Sequence, residues 1–408
     1  MSDHLSLDLV TNILLRLPVA AILRCRAICK PWRALIDSPR FSKLQIDHSS
    51  ATTENAVLFI LENDGHGNGD LHIAPYIEGL RRETCIDVRS NKSSSPQIGV
   101  KIPQERVTLI GSCDGLLCFD YDTDKAIITN PATRKSHVMS AMPKHLCGDG
   151  DGVYHCGCGF GYDSVSDDYK VVKLNQMMLF SAKNADCFQS ELISYGVRSG
   201  SSVVVKFPYI LALTEKVGVF VGGAIHWVVH TPDVSNLIVG FDLGRNECKE
   251  IPQPEYRNEK KSLLLRIGEL EKCLCIFANY RGRVLDVWIM KEYGVKESWS
   301  KMLSVPHPGL CYDIRVRSLG YSMTGQDLLL LLDSQRLVWY DLKKNPQKGD
   351  AAKEITISGL KAVFVDAIVC FGSLVSPHGK FPTKEEVKID RQRKKRDGFL
   401  SSGFKLKL

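Results

Sequence analysis

Four stretches of this chain share one shape, an apolar strand, a polar turn and usually a second strand: AIITNPATRKSHVM, LIVGFDLGRNECKEI, VLDVWIMKEYGVKESWSKM and RLVWYDLKKN. With the turns aligned on Asn130, Asp242, Met290 and Asp341, the separations are 112, 48 and 51 residues, so one more copy lies inside the first gap. Each copy follows strands that end at glycine or other turn residues, as in IGSCDGLLCF, GVFVGGAIHWVV, LEKCLCIFANY and SLGYSMTGQDLLLLL. A repeat of this length marks a supersecondary unit that buries its apolar face only against neighbouring copies.

A period near 50 residues is that of kelch-type propeller blades of about four strands each, and the unit count predicts roughly five to seven blades. Trp227, Trp288, Trp299 and Trp339 fall in or beside these strands and are expected to pack between blades. Target contact at an exposed face is the alternative.

Upstream, the character of the chain changes. Residues 5 to 46 read as helices, whereas Val57 to about Val375 reads as short strands broken by Gly, Asn, Asp and Pro. Leu9, Ile13, Leu14 and Leu17 recur at helical spacing before Pro18 stops the helix; Ile22 and Leu23 suit a second, and Pro31 opens a third with Trp32, Leu35 and Ile36 on one side. Three helices this short bury little surface alone, so the module needs a partner. The expected architecture is multidomain α plus β: a three-helix module over residues 1–47, an all-β kelch-like propeller over 48–379, and a basic helical or flexible tail over 380–408.

The formal charge of +7 belongs to that tail. Residues 380–408 hold ten Lys or Arg and four Asp or Glu, leaving only +1 for the rest, too little for a large surface that tracks phosphates. No nucleic-acid partner is expected. Arg391, Arg393, Lys394, Lys395 and Arg396 make a basic run compatible with nuclear import, with a solvated charged stretch as the plain alternative, and Phe399, Leu400, Phe404 and Leu406 follow it. No apolar run approaches the ~20 residues that cross a bilayer, and the start, MSDHLSLDLV, has no basic leader segment. A soluble protein of nucleus and cytoplasm is expected, its fourteen dispersed cysteines reduced.

Few residues are patterned for chemistry. His145, Cys147, His155, Cys156 and Cys158 cluster, but their C-G-C spacing differs from the paired knuckles of common zinc sites, and no metal or other cofactor is expected. The acidic run Asp163 to Leu174 fails as a calcium loop at Asp168 and Leu174 and reads as a turn between two strands. Gly157, Gly159 and Gly161 do not match a dinucleotide-binding fingerprint and are expected where a strand packs closely against another backbone. His226 has no evident nucleophile or acid beside it. No catalytic residue is expected, although propeller enzymes can assemble catalytic groups from distant loops.

The string LSLDLVTNILLRLPVAAILRCRAICKPWRALIDSPRF resembles the F-box, with Ser6 where the family has a proline and Ile28 where it has valine. By position, the resemblance implies that Leu5, Leu9, Ile13, Leu14, Leu17, Pro18, Leu23, Cys29 and Trp32 build the module and its adaptor-binding surface, while Leu35, Ile36 and Phe41 look like internal packing. GSCDGLLCF, ITNPATRK, GFGYDSVSDDYKVVKL, LDVWIMKEYGVKESWSKM and LVWYDL resemble the plant F-box-associated domain, and the ending RKKRDGFLSSGFKLKL is similar to the constitutive-expresser-of-pathogenesis-related-genes type of plant F-box protein. The family implies a non-catalytic substrate receptor of a Skp, cullin and F-box ubiquitin ligase. Its partners would be a Skp-type adaptor, a cullin reached through that adaptor, and a protein target, for this subgroup an immune receptor. A scaffold that binds the adaptor without promoting degradation, or a propeller enzyme, are the alternatives.

Overall fold

In the computed structural model the described residues are 6–51, 56–63, 69–75, 85–87, 89–90, 107–121, 125–139, 152–179, 188–212, 216–257, 263–280, 283–306, 315–322, 325–334, 336–344, 351–358 and 364–378. Helices come first: α1 (Leu7–Leu15), α2 (Val19–Cys25), α3 (Lys30–Ile36) and α4 (Pro39–Ala51). Ser6, which replaces the family's proline, caps α1 by accepting from the Leu9 amide at 3.3 Å. Arg26 at the end of α2 pairs with Asp37 at the end of α3, Nε to Oδ1 at 2.6 Å.

The fourth helix adds to the three expected and crosses the expected boundary at residue 47. Its signal is Ser38-Pro39: the Ser38 hydroxyl accepts from the Phe41 amide at 3.2 Å, and Pro39 suits a first turn whose N–H groups have no helical partner. Val10, Leu14, Val19, Ile22, Ile36 and Phe41 form the core of this bundle.

The strands form six sheets among the described residues. Blade 2 is Val107–Cys113, Leu116–Tyr121, Lys125–Asn130 and Lys135–Met139; blade 3 is Gly152–Asp163, Asp168–Leu179, Phe188–Gly196 and Ser202–Lys206. Blade 4 is built on Val219–Val221, Ala224–His230, Leu237–Asp242 and Glu247–Glu250, with Ile210–Leu211 beside the second of these. Blade 5 is Leu263–Leu270, Cys273–Tyr280, Val284–Met290 and Trp299–Pro306; blade 6 is Val316–Tyr321, Asp327–Leu332, Arg336–Asp341 and Ala352–Ser358, edged by Cys85–Asp87.

Blade 1 joins the two ends of the domain. Ala56–Asn63 pairs on one side with Gly69–Pro75 and on the other with the last strand, Phe364–Phe371. The first strand of each blade packs beside that of the next, and Val316–Tyr321 packs beside Phe364–Phe371 to close the ring. Six apolar clusters lie one in each gap between adjacent sheets. Middle strands are therefore covered on both faces, which is why DLLLLL and AIHWVVH read as continuous apolar runs instead of alternating.

The aligned turns occupy equivalent places: Asn130, Asp242, Met290 and Asp341 each end the third strand of a blade, and the hidden copy is blade 3. Trp227, Trp299 and Trp339 are buried in the inter-blade clusters, with Trp288 partly buried against one of them. The acidic run is a turn between two strands, as read. Gly157, Gly159 and Gly161 pack against side chains, not backbone: a Cβ at Gly161 would come within 2.2 Å of the Phe220 ring, and one at Gly159 within 2.5 Å of Ile225.

Candidate functional site

Two surfaces carry features that packing does not explain. The first is on the helical bundle. Helix α1 turns Val10 and Leu14 inward, so Leu9 and Ile13, one turn apart, point outward at 47% and 43% exposure. Leu7 is 58% and Ile28 63% exposed, and Pro18 and Cys29 are exposed as well. For a module with so small a core, this much uncovered apolar surface fits a face that a partner covers.

The expected adaptor residues divide here. Leu9, Ile13, Pro18 and Cys29 lie at the surface; Leu17, Leu23 and Trp32 are partly buried against the bundle core. Leu14 is fully buried, so its contribution is to packing, not contact: it occupies the inward side of α1 with Val10. Leu5 lies outside the described residues. Ile36 and Phe41 are internal, as read, and Leu35 packs against them. Leu7, Leu44 and Ile28 are exposed positions that the helical spacing did not single out.

The second surface is the axial cavity of the ring, about 550 Å3 in volume and walled by first strands of the blades. Its charged lining comprises Lys216, Arg266, Glu269, Arg315, Arg317 and Asp366. Arg317 Nη1 lies 3.1 Å from Asp366 Oδ1. Desolvation by the surrounding walls raises the carboxyl pKa of both Asp366 and Glu269. Among the described residues that line it, four cations stand against two acids.

Other sequence candidates resolve into structure. His226 is fully buried, its Nδ1 3.0 Å from the Val219 carbonyl and its Nε2 2.7 Å from the Tyr293 hydroxyl, and burial lowers its pKa to about 4. It ties blade 4 to the turn after the third strand of blade 5. Cys158 is buried and Cys156 exposed, while His145 and Cys147 lie outside the described residues. Among the described residues, no three His, Cys, Asp or Glu side chains converge as metal ligands. Cys113, Cys118, Cys158, Cys275 and Cys370 are buried free thiols, and no described helix is long and apolar enough to cross a membrane. The basic run Arg391, Arg393, Lys394, Lys395 and Arg396 lies outside the described residues.

Residues 2–44 match the F-box domain and residues 77–364 the F-box associated beta propeller domain. The F-box protein CPR1 of Arabidopsis thaliana is 32% identical, with 98% of this chain and 99% of that one covered. An F-box/kelch-repeat protein of the same plant is 30% identical over 74% of this chain and 80% of its own. Solved structures overlap only remotely: an ulvan lyase of polysaccharide lyase family PL25 aligns at TM-score 0.39 and 12% identity over 81% of each chain. Helical bundle, closed strand ring and end-to-end similarity agree: the chain belongs to the F-box proteins that carry an F-box-associated β-propeller domain.

Proposed function

We infer that this protein is the substrate-recognition subunit of a Skp, cullin and F-box ubiquitin ligase, holding a protein target on its propeller for ubiquitination and proteasomal degradation. The observation that carries this reading is the exposed apolar pair Leu9 and Ile13, one turn apart on the outward side of α1, on a domain of F-box type. A Skp-type adaptor covers that face, and the cullin is reached through the adaptor. The chain contributes proximity instead of chemistry, raising the effective concentration of a target lysine near the ubiquitin-charged enzyme.

The four cations among the described residues lining the axial cavity favour an acidic segment of the target. Similarity to CPR1 over 98% of the chain supports a role in plant defence, with an immune receptor as the target class. The basic run near the C terminus supports a nuclear as well as a cytoplasmic location. Pull-down with a Skp-type adaptor, followed by target half-life with and without proteasome inhibition, tests the reading. Adaptor capture with shortened half-life, restored by the inhibitor, is expected. Adaptor capture without any effect on half-life would make the protein a scaffold instead.

A further inference from the structure

The two strings that best match the propeller family, GSCDGLLCF and ITNPATRK, meet in space at a segment neither of them contains. After the last strand ends at Phe371, residues 372–378 cross from the ring onto the helical bundle. Asn130, fully buried, donates from Nδ2 to the Ser373 carbonyl at 3.0 Å and the Val375 carbonyl at 2.7 Å, while its Oδ1 accepts from the Thr133 amide at 3.1 Å. Gly115, at φ +77°, leaves the space this strap needs: a Cβ there would lie 2.4 Å from Ser373 Oγ and 2.6 Å from the Phe371 carbonyl.

The other side of the strap is held by the F-box. Gln45 of α4 donates to the Gly372 carbonyl at 3.0 Å and accepts from the Leu374 amide at 3.3 Å. Leu374, only 2% exposed, completes the core formed by Val10, Leu14, Val19, Ile22, Ile36 and Phe41. Its neighbour Val375 instead enters the cluster between blades 2 and 3, where Ile46 of α4 also packs. Two consecutive residues of one strap therefore belong to two different cores.

We propose that the CDG and NPATR motifs form a clamp for this strap, and that the strap locks the F-box to blade 2 at a fixed angle. Asn130, Gln45 and Leu374 are positioning residues: they fix where an adaptor-bound enzyme sits relative to whatever the propeller holds. The clamp stands on geometry alone; only its use in ubiquitin delivery rests on the ligase reading.

Asn130→Asp tests it in the full chain. The substitution keeps the acceptor for Thr133 but sets a carboxylate against two carbonyl oxygens. Hydrogen exchange should accelerate about tenfold or more in α2 and α4 and stay unchanged in blade 5. Fluorescent probes placed at Asp8 and Arg245, both exposed, should report one narrow distance in the parent and a broad distribution in the variant. A change confined to blade 2 would not move that distance. Unchanged exchange in α2 and α4 with an unchanged distance distribution overturns the proposal. Should Asn130→Asp not fold, Leu374→Ala replaces it, leaving the contacts to Asn130 in place; equal protection of α1 and α2 in that variant and the parent would likewise overturn it. Neither measurement requires adaptor or target, so missing adaptor binding would sink the ligase reading without touching the clamp.

Discussion

In the F-box, one cluster around Leu14, Ile22 and Phe41 serves four helices, and Leu7, Leu9, Ile13 and Ile28 remain 43 to 63% exposed. In the propeller, six clusters serve six sheets, and middle strands such as Asp327–Leu332 are buried along their whole length. Each blade finds its neighbour within the same chain. The F-box borrows a residue, Leu374, from beyond the propeller and still leaves an apolar face uncovered. A repeat that closes on itself satisfies its own surfaces, whereas a short helical bundle has too little interior for the apolar side chains it carries. The difference separates the part that holds its own shape from the part whose surface awaits a partner.

The largest break in that comparison comes from opening the ring. A chain ending at residue 363 loses Phe364–Phe371, the strand paired along all of Ala56–Asn63, and leaves two cluster faces uncovered. Its cooperative thermal transition should disappear, as followed by circular dichroism, whereas a chain ending at His378 should retain it. A cooperative melt in the shorter chain would show that the ring does not depend on closure.

Next in size is the adaptor contact. Leu9→Asp with Ile13→Asp places two carboxylates on the exposed side of α1, where burial at an interface costs several kcal/mol. Adaptor affinity should fall at least ~100-fold by calorimetry, with the propeller melt unchanged. Leu14→Asp should act differently, unfolding the bundle itself because Leu14 is fully buried. Undiminished binding by the double variant would remove this face from the adaptor site.

Acid offers a third test, on the propeller side. Burial holds His226 at a pKa of about 4, below the usual ~6.5. Between these values the unfolded chain takes up a proton that the folded chain refuses. Stability from this group is thus full above pH ~6.5 and falls as pH drops toward 4, by up to about 3 kcal/mol. Urea midpoints at pH 7, 6 and 5 should decline less steeply in His226→Gln than in the parent; parallel declines would assign the acid sensitivity elsewhere.

The smallest effect expected is at the cap of α1. Ser6→Ala removes the acceptor for the Leu9 amide and should lower F-box stability by about 1 kcal/mol, visible as faster exchange in the first turn of α1 alone. No change there would mean that the cap is satisfied equally well by water.

Most of the architecture was legible in local patterns. Helical spacing ending at Pro18 and a strand repeat near 50 residues are local patterns, and each survives into the structure as a helix of the bundle or the third strand of a blade. The fourth helix was legible too, in Ser38-Pro39, but as a cap signal instead of an apolar stripe. What spacing could not do was sort one face of a helix from another. Leu9, Ile13 and Leu14 share the same apolar pattern, and only packing against Val19, Ile22 and Phe41 shows that Leu14 is inside while its neighbours wait for a partner.

Contacts between residues far apart in the chain were beyond any local reading. Leu374 meets the F-box core more than three hundred residues downstream of it, Asn130 reaches Ser373 and Val375, and the glycines of the blade 3 strand face side chains of blade 4. The axial cavity is the clearest case: Lys216 before blade 4, Arg266 of blade 5 and Arg315 and Arg317 at the start of blade 6 share a wall only once the ring has closed. Local periodicity follows from backbone geometry, which each segment carries alone, whereas a shared core or cavity is a property of chain closure and exists only when the distant segments have met.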